Sequence, residues 1–160
     1  MSTELTRKGV KTGAMFLYAY RNGVAEAIGQ EQALAIHKDV NVAMGSAFGK
    51  QLKEQLGEGE MDAAAVGRIV ADLCTDMMGA TPEIVSESPT EVVFKQGPCA
   101  FYDATVELGM HPADIVTSCN QTSMAFMDAM VRELDPRLSY RSKSHRVNGE
   151  GHCYDVLARA

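Results

Sequence analysis

The chain has 160 residues, enough for one domain with its own core, and a net charge of −6 at neutral pH. This acidic balance argues against nucleic acid and anionic membranes as partners, and no apolar run approaches the roughly 20 residues that span a bilayer. The four cysteines are widely spaced and form no CxxC pair, so neither a disulfide framework nor a standard zinc finger is indicated. We expect a single cytoplasmic domain over residues 1–160, with reduced thiols and no cofactor.

The first half of the chain has the periodicity of helices. Apolar residues recur at helical spacing over residues 12–28 and 30–56, which predicts two long helices. Gly45 and Gly49 in the second helix would permit a close helix crossing or a kink. Asp62 is placed to cap a third helix.

The second half alternates short strand-like runs with helices. A hairpin is predicted around residues 88–90, and proline is placed to open each of two following helices. The predicted elements are strands at 83–87 and 91–95, helices at 98–108 and 112–134, and strands at 137–144 and 152–159. The expected fold class is therefore α+β, with N-terminal helices packed on a small antiparallel sheet of two hairpins and two helices inserted between the hairpins.

The helix predicted at 112–134 carries no charged residue between Asp114 and Asp128. A surface helix normally shows charge on its outer face, so this helix is expected to be enclosed on most sides. Its hydroxyl and amide groups then either bond to neighbouring backbone or line a polar cavity. Cys119 faces the interior in this arrangement, as a small apolar residue or as a nucleophile.

Cys99 occupies a different environment in the prediction. A helix opening at Pro98 would place this thiol in the first turn, where the unpaired N–H groups and the helix dipole lower a thiol pKa. Tyr102 and Asp103 follow within one turn and could orient a substrate or accept a proton. The alternative is a packing cysteine at the start of a helix.

The final hairpin offers three further candidates. His152 and Cys153 alternate in a strand, so they point to opposite faces, and the imidazole could serve only a cysteine of another element. Arg137 and Arg141 share one face of the preceding strand. They form a solvated edge, or one of them binds a substrate carboxylate. The other three histidines, His37, His111 and His145, are interpreted as surface or core residues.

The C-terminal half of the chain, about residues 92–160, resembles the L-2-amino-thiazoline-4-carboxylic acid hydrolase family. The segments that carry the resemblance are residues 97–104 (GPCAFYDA), Cys119, residues 134–140 (LDPRLSY) and residues 149–153 (GEGHC). A more distant similarity to 4-vinyl-reductase-type small-molecule-binding domains would imply ligand sensing instead of catalysis.

The family resemblance implies hydrolysis of a C–N bond that opens a small, cyclic, amidine-like substrate carrying a carboxylate. Such a reaction needs a nucleophile, a proton donor and a cation for the carboxylate. The residues assigned to these roles are Cys99 or Cys119 as nucleophile, His152, Asp103 or Asp155 for protons, Arg137 or Arg141 for the carboxylate, Asn120 and Gln121 for ring heteroatoms, and Tyr102 and Cys153 as further substrate contacts.

Two other functions compete with the cysteine hydrolase. A metal-dependent hydrolase would use zinc held by Cys99, Cys119, Cys153 and His152. A non-enzymatic binding domain would use the uncharged helix to line a ligand pocket. In each case the expected partner is a small molecule, and a homo-oligomer is plausible.

Overall fold

The structure, a computed structural model, describes residues 3–57, 59, 61–146 and 151–159. It contains six α-helices, one π-helical turn and four strands within those ranges. In chain order these are α1 (Thr3–Ile28), α2 (Gln30–Leu56), α3 (Ala63–Asp76), β1 (Ala80–Glu87), β2 (Glu91–Cys99), α4 (Ala100–Glu107), α5 (Pro112–Cys119), the π turn (Asn120–Met124), α6 (Ala125–Leu134), β3 (Leu138–Ser144) and β4 (Cys153–Arg159). None of the described helices combines the length and the apolar character needed to cross a bilayer.

The four strands form one antiparallel sheet in the order β1-β2-β4-β3, so the two predicted hairpins are confirmed and lie side by side. The α+β class with N-terminal helices is confirmed as well. The inner strands β2 and β4 pair with Phe94 opposite Asp155 and Gln96 opposite Cys153. Directly opposed residues share a face of the sheet. Polar groups of β2 and β4 therefore meet on the inward face.

The main core lies between this inward face and helices α3 and α6. Its buried members include Val70, Val92, Phe94, Met130 and Leu157. Asp62 caps α3 as predicted, because its carboxylate accepts a hydrogen bond from the backbone N–H of Ala65 at 2.8 Å.

The close crossing predicted at Gly45 and Gly49 is also confirmed. A Cβ atom added at Gly49 would lie 2.6 Å from the carbonyl oxygen of Met130, and one at Gly45 would collide with the carbonyl oxygen of Phe126. The two glycines therefore let the backbone of α2 lie directly against α6.

The predicted helix start at Pro98 is wrong. Strand β2 continues through the proline to Cys99, which pairs with Ala80 and has extended dihedral angles (φ −141°, ψ 120°). Helix α4 begins one residue later, where the N–H of Ala100 donates to the carbonyl of Gly79 at 3.0 Å. A register irregularity between β1 and β2 accommodates the proline, which has no N–H to contribute to the ladder.

Other boundaries also differ from the predictions. The helix expected at 112–134 is divided by the π turn, which no proline or glycine announces in the sequence. Helix α1 begins at Thr3 instead of residue 12, and His152 precedes β4 instead of opening it. The glycine-containing loop predicted before β4 includes residues 147–150, which lie outside the described residues.

Candidate active site

A cavity of about 70 Å³ lies between the inward face of the sheet and the helices α1 and α4 to α6. Most of its lining is apolar, from residues such as Ile115 and Met127. Tyr18 closes it from α1 and is itself 1% exposed. Burial raises the pKa of this phenol to about 12. The part of the cavity wall that Tyr18 forms therefore lies inside the domain.

All four cysteine side chains contribute to the wall of this one cavity. They come from four different elements: Cys74 from α3, Cys99 from the end of β2, Cys119 from the end of α5, and Cys153 from the start of β4. All four are free thiols. The three cysteines that the sequence analysis assigns to the site, Cys99, Cys119 and Cys153, thus lie in one cavity wall, and Cys74 joins them.

The thiols are protonated near neutral pH. Burial raises the pKa of Cys74 to about 12 and raises the pKa of Cys119 further. It also raises the pKa of Cys99 and of Cys153. The expected lowering at Cys99 is therefore wrong in direction, because desolvation outweighs the effect of the nearby backbone N–H groups of Phe101 and Tyr102.

Cys99 nevertheless differs from the other three thiols. It is the N-cap residue of α4, and backbone N–H groups of Phe101 and Tyr102 act on its sulfur in the direction that favours thiolate. The positive charge of Arg146 acts in the same direction. A negative charge that develops on this sulfur during a reaction thus meets three stabilising groups already in place.

A buried polar cluster stands on the sheet side of the cavity. The Asp155 carboxylate accepts hydrogen bonds from the Gln96 amide at 2.8 Å and from the Tyr140 hydroxyl at 3.2 Å. Burial raises the pKa of Asp155 above its usual 3.8, against the hydrogen bonds of Gln96, Ser142 and Tyr140. The side-chain oxygen of Gln96 is buried without a hydrogen-bond partner. It is therefore an acceptor available to a ligand N–H group.

Arg146 supplies a cationic group at the cavity. Its guanidinium carbon lies 4.3 Å from the centroid of the Tyr102 ring, and its Nε and Nη2 atoms are buried without a hydrogen-bond partner. Its backbone N–H donates to the sulfur of Cys153 at 3.3 Å, which fixes the segment against β4. Buried guanidinium nitrogens without a partner are costly, and a ligand carboxylate matches their geometry.

His145 stands next to Arg146 in the cavity wall. Its Nε2 atom lies 3.2 Å from the side-chain oxygen of Asn120, the first residue of the π turn. Burial lowers the pKa of His145, while the charge of Asp155 acts in the opposite direction. The imidazole is therefore neutral near pH 7 and can accept a proton.

Five of the residues assigned from the sequence line the cavity, namely Cys99, Tyr102, Cys119, Cys153 and Asp155. Asn120 reaches it only through His145, and Gln121 lies off the lining with its side-chain oxygen buried and unpartnered. The roles that the sequence analysis gives to these residues stay predictions.

The other assigned residues lie away from the cavity lining. Asp103 forms an ion pair with Arg7 at 2.9 Å, and exposed His152 lies 3.1 Å from the carbonyl oxygen of Gln96. Arg137 binds Asp135, and Arg141 is exposed on the outward face of β3. Strand alternation explains the arginines, since their neighbours Leu138 and Tyr140 take the inward positions.

The cavity residues that the sequence prediction passed over are Gln96, Tyr140, His145 and Arg146. The sequence did indicate Gln96, because it is a polar residue at the next inward position of β2 after the apolar residues Val92 and Phe94. Asp155, which the sequence analysis assigned to proton transfer, shows the same pattern, because it is a polar residue at an inward position of β4. Nothing in the sequence indicated His145 or Arg146, since they lie beyond the end of β3, where no periodicity shows which way a side chain points.

The metal-site alternative receives no support from the geometry. Within residues 3–57, 59, 61–146 and 151–159, no three His, Cys, Asp or Glu side chains are arranged to hold a metal ion. The thiols of Cys99, Cys119 and Cys153 share a cavity wall without converging on a common point.

A largely apolar cavity with a few convergent polar groups, set between helices and a small antiparallel sheet, is the usual setting of a small-molecule site in an α+β domain. The chain belongs to the L-2-amino-thiazoline-4-carboxylic acid hydrolase family, whose model matches residues 9–154. The resemblance noted over the C-terminal half is thus confirmed, and it extends through most of the chain.

The fold is also similar to a solved structure, the phenol-responsive sensory domain of the transcription activator PoxR with phenol. The TM-score is 0.60 and the identity 14%, over 91% of this chain and 74% of that chain. This likeness concerns the fold. No curated protein matches the sequence significantly.

Proposed function

We propose that the chain is a hydrolase that opens a small, carboxylate-bearing heterocycle by cleaving a C–N bond inside the cavity. The observation that carries this proposal is the guanidinium of Arg146, which has two buried nitrogens without partners at a mostly apolar cavity. A substrate carboxylate would satisfy both nitrogens in bidentate fashion. The family to which the chain belongs is named for a substrate with such a group.

Arg146 takes the role that the sequence prediction gave to Arg137 or Arg141. With the carboxylate held there, the ring of the substrate would lie along the thiol-lined wall. The unpartnered oxygen of Gln96 would accept a hydrogen bond from a ring or amino N–H group. Asp155, held by Gln96 and Tyr140, would face the same part of the ligand.

Cys99 is the nucleophile of this proposal. The thiol proton passes to neutral His145 as the sulfur bonds to the electrophilic ring carbon, and the C–N bond breaks. The proton then moves from His145 to the leaving nitrogen. Water displaces the sulfur from the adduct, so that one water is consumed and the Cys99 thiol is regenerated. Cys119 is the second candidate for this role, and burial raises its pKa as well.

The test is turnover of a panel of cyclic amidine carboxylates, including 2-amino-thiazoline-4-carboxylic acid, followed as a mass gain of one water. Cys99→Ser should abolish turnover while the fold survives, and iodoacetamide should inactivate the wild type. Cys74→Ala is the matched control, since Cys74 lines the same cavity but is 5% exposed within the core cluster. Full turnover in both Cys99→Ser and Cys119→Ser would refute a cysteine mechanism.

A non-enzymatic ligand-binding domain is the second candidate function. It is supported by the likeness of the fold to a sensory domain that was solved with phenol, and by the four protonated thiols. This function predicts tight binding of a small molecule with no change in the ligand's mass. Calorimetry and mass spectrometry on the same panel separate the two functions.

A further inference from the structure

The outward faces of α1 and α2 carry most of the exposed apolar surface of the described residues. Ten of the fourteen large hydrophobic side chains that are exposed belong to these two helices. Phe16 and Tyr20 are the most exposed of them, each at 74%. An apolar surface concentrated in this way marks an interaction site rather than ordinary scatter.

The exposed stripe of α1 has an unusual composition. Leu5, Gly9, Phe16, Tyr20 and Gly23 recur at spacings of three, four or seven residues and share one side of the helix, with no charged residue among them. An added Cβ at Gly9 or Gly23 would have no atom of the described residues within 4 Å. Glycine inside a helix is destabilising, and none of the described residues occupies the space that these two leave.

We propose that this face of α1 pairs with the same face of a second copy of the chain, in antiparallel orientation about a two-fold axis at Phe16. In that register Phe16 lies against its own copy, Gly9 faces the partner copy's Gly23, and Tyr20 faces the small side chain of Thr12. The two Phe16 rings thus stack at the axis, Tyr20 lies over a small side chain, and the two glycine positions allow a close helix approach.

The charges that flank the stripe are complementary in the same register. Lys8 is exposed near the N-terminal end of α1 and Glu26 near its C-terminal end, both on the same side of the stripe. A two-fold axis at Phe16 brings Lys8 of one copy level with Glu26 of the other within about one helical turn. Parallel pairing would place Lys8 and Glu26 at opposite ends and on opposite sides of the contact, where they could not pair, so the charges favour the antiparallel arrangement.

The size of the face fits a second copy of the chain. Helix α1 has 26 residues and α2 has 27. At about 1.5 Å per residue and about 10 Å between helix axes, the two outward faces cover about 40 Å by 20 Å. That is about the 800 Å² per partner of a standard interface. The exposed residues Ile36, Val40 and Met44 of α2 would extend the contact beside α1.

Sedimentation equilibrium of the full chain is the first test. The wild type should be a dimer at micromolar concentration, and Phe16→Lys should raise its dissociation constant by about thirtyfold or more. Val106→Lys is the matched control, because Val106 is 52% exposed on α4, outside the face. A monomeric wild type, or a dimer that is indifferent to Phe16→Lys, overturns the proposal.

Two further measurements test the register. Lys8→Glu and Glu26→Lys should each weaken the dimer, and the double variant should restore it. Under mild oxidation Phe16→Cys should form a disulfide-linked dimer. Tyr20→Cys should not, since its two copies would lie about 12 Å apart along the axis and a disulfide requires Cα atoms within about 7 Å. Linkage of both variants indicates parallel pairing, and linkage of neither indicates another interface; either result overturns the proposed arrangement.

Discussion

The guanidinium of Arg146 stacks on the ring of Tyr102 at 4.3 Å, so that a residue beyond the end of β3 is held against the first turn of α4. Stacking satisfies the flat face of the cation and leaves its edge, with Nε and Nη2, without partners. Cys99 is the N-cap of the same helix. Tyr102 thereby places the cation and the proposed nucleophile on neighbouring parts of one wall.

Replacing Arg146 with methionine should weaken carboxylate recognition and leave the fold intact. Loss of a charge-assisted pair costs about 1.5–3 kcal/mol, which predicts an affinity for the ligand lower by about 10- to 150-fold. Stability should be unchanged or higher, because the substitution removes a buried charge with unpaired nitrogens. Calorimetric titration and thermal unfolding check both expectations, with exposed Arg141→Met as the control. An unaltered affinity in Arg146→Met would assign the carboxylate to another residue.

Asp155 should make the domain less stable as the pH rises. Burial raises the pKa of this carboxyl above its usual 3.8 in the folded state, so the folded protein retains the proton longer than the unfolded chain. Below pH 3.8 the carboxyl is protonated in both the folded and the unfolded state, so it does not change the free energy of unfolding. Between pH 3.8 and the pKa of Asp155 in the folded state, the carboxyl lowers the free energy of unfolding by about 1.4 kcal/mol for each pH unit.

Asp155→Asn should remove this loss of stability. Urea unfolding at a series of pH values from 4 to 8 should show the variant gaining on the wild type as the pH increases. The amide keeps a similar shape and can still accept hydrogen bonds from Gln96 and Tyr140. If the difference between the two proteins is the same at both ends of the range, the carboxyl is not destabilised by its burial.

Gly45→Ala should weaken the packing of α2 on α6. The new methyl group would collide with the backbone carbonyl of Phe126, which cannot rotate away as a side chain would. Overpacking of this kind costs about 2–3 kcal/mol, or about 5–10 °C in Tm for a domain of this size. Ala35→Gly, at an exposed position of the same helix, is the control and should cost only about 1 kcal/mol. Equal stability of Gly45→Ala and the wild type would mean that the helices can separate without cost.

Local signals were sufficient for most of the fold. The cap at Asp62, the apolar period of α2 and the turn at residues 88–90 each depend on neighbours in sequence, and each prediction agrees with the structure. The start of α4 was misplaced because Pro98 fits both a helix opening and an irregular strand. Pairing with β1, which is distant in sequence, decides between the two.

The candidate site was less accessible to sequence reasoning for the same physical reason. Cys99 and Cys119 could be assigned to one centre because their motifs carry a family resemblance. Arg146 could not be separated from Arg137 and Arg141, since all three lie in one basic segment of sequence. Only the packing of residues 145–146 over the cavity distinguishes the buried cation from the exposed ones.

Asp135→Asn should destabilise the junction of α6 with the sheet. The Asp135 carboxylate accepts hydrogen bonds from the backbone N–H of Arg137 at 2.9 Å and from its side chain at 3.0 Å, and Arg159 of β4 lies 3.3 Å away. These contacts lower the pKa of Asp135 below its usual 3.8, with the Arg137 hydrogen bond as the largest cause.

The pH dependence of Asp135 should have the opposite sign to that of Asp155. A lowered folded pKa contributes stability that is present above pH 3.8 and is lost as the pH falls through the folded value. Asp135→Asn should therefore cost about 1–2 kcal/mol at pH 7 and progressively less below pH 3.8. Urea unfolding measures both, with exposed Lys143→Ala as the control. A deficit that persists undiminished at pH 2 would mean that Asp135 acts through shape rather than charge.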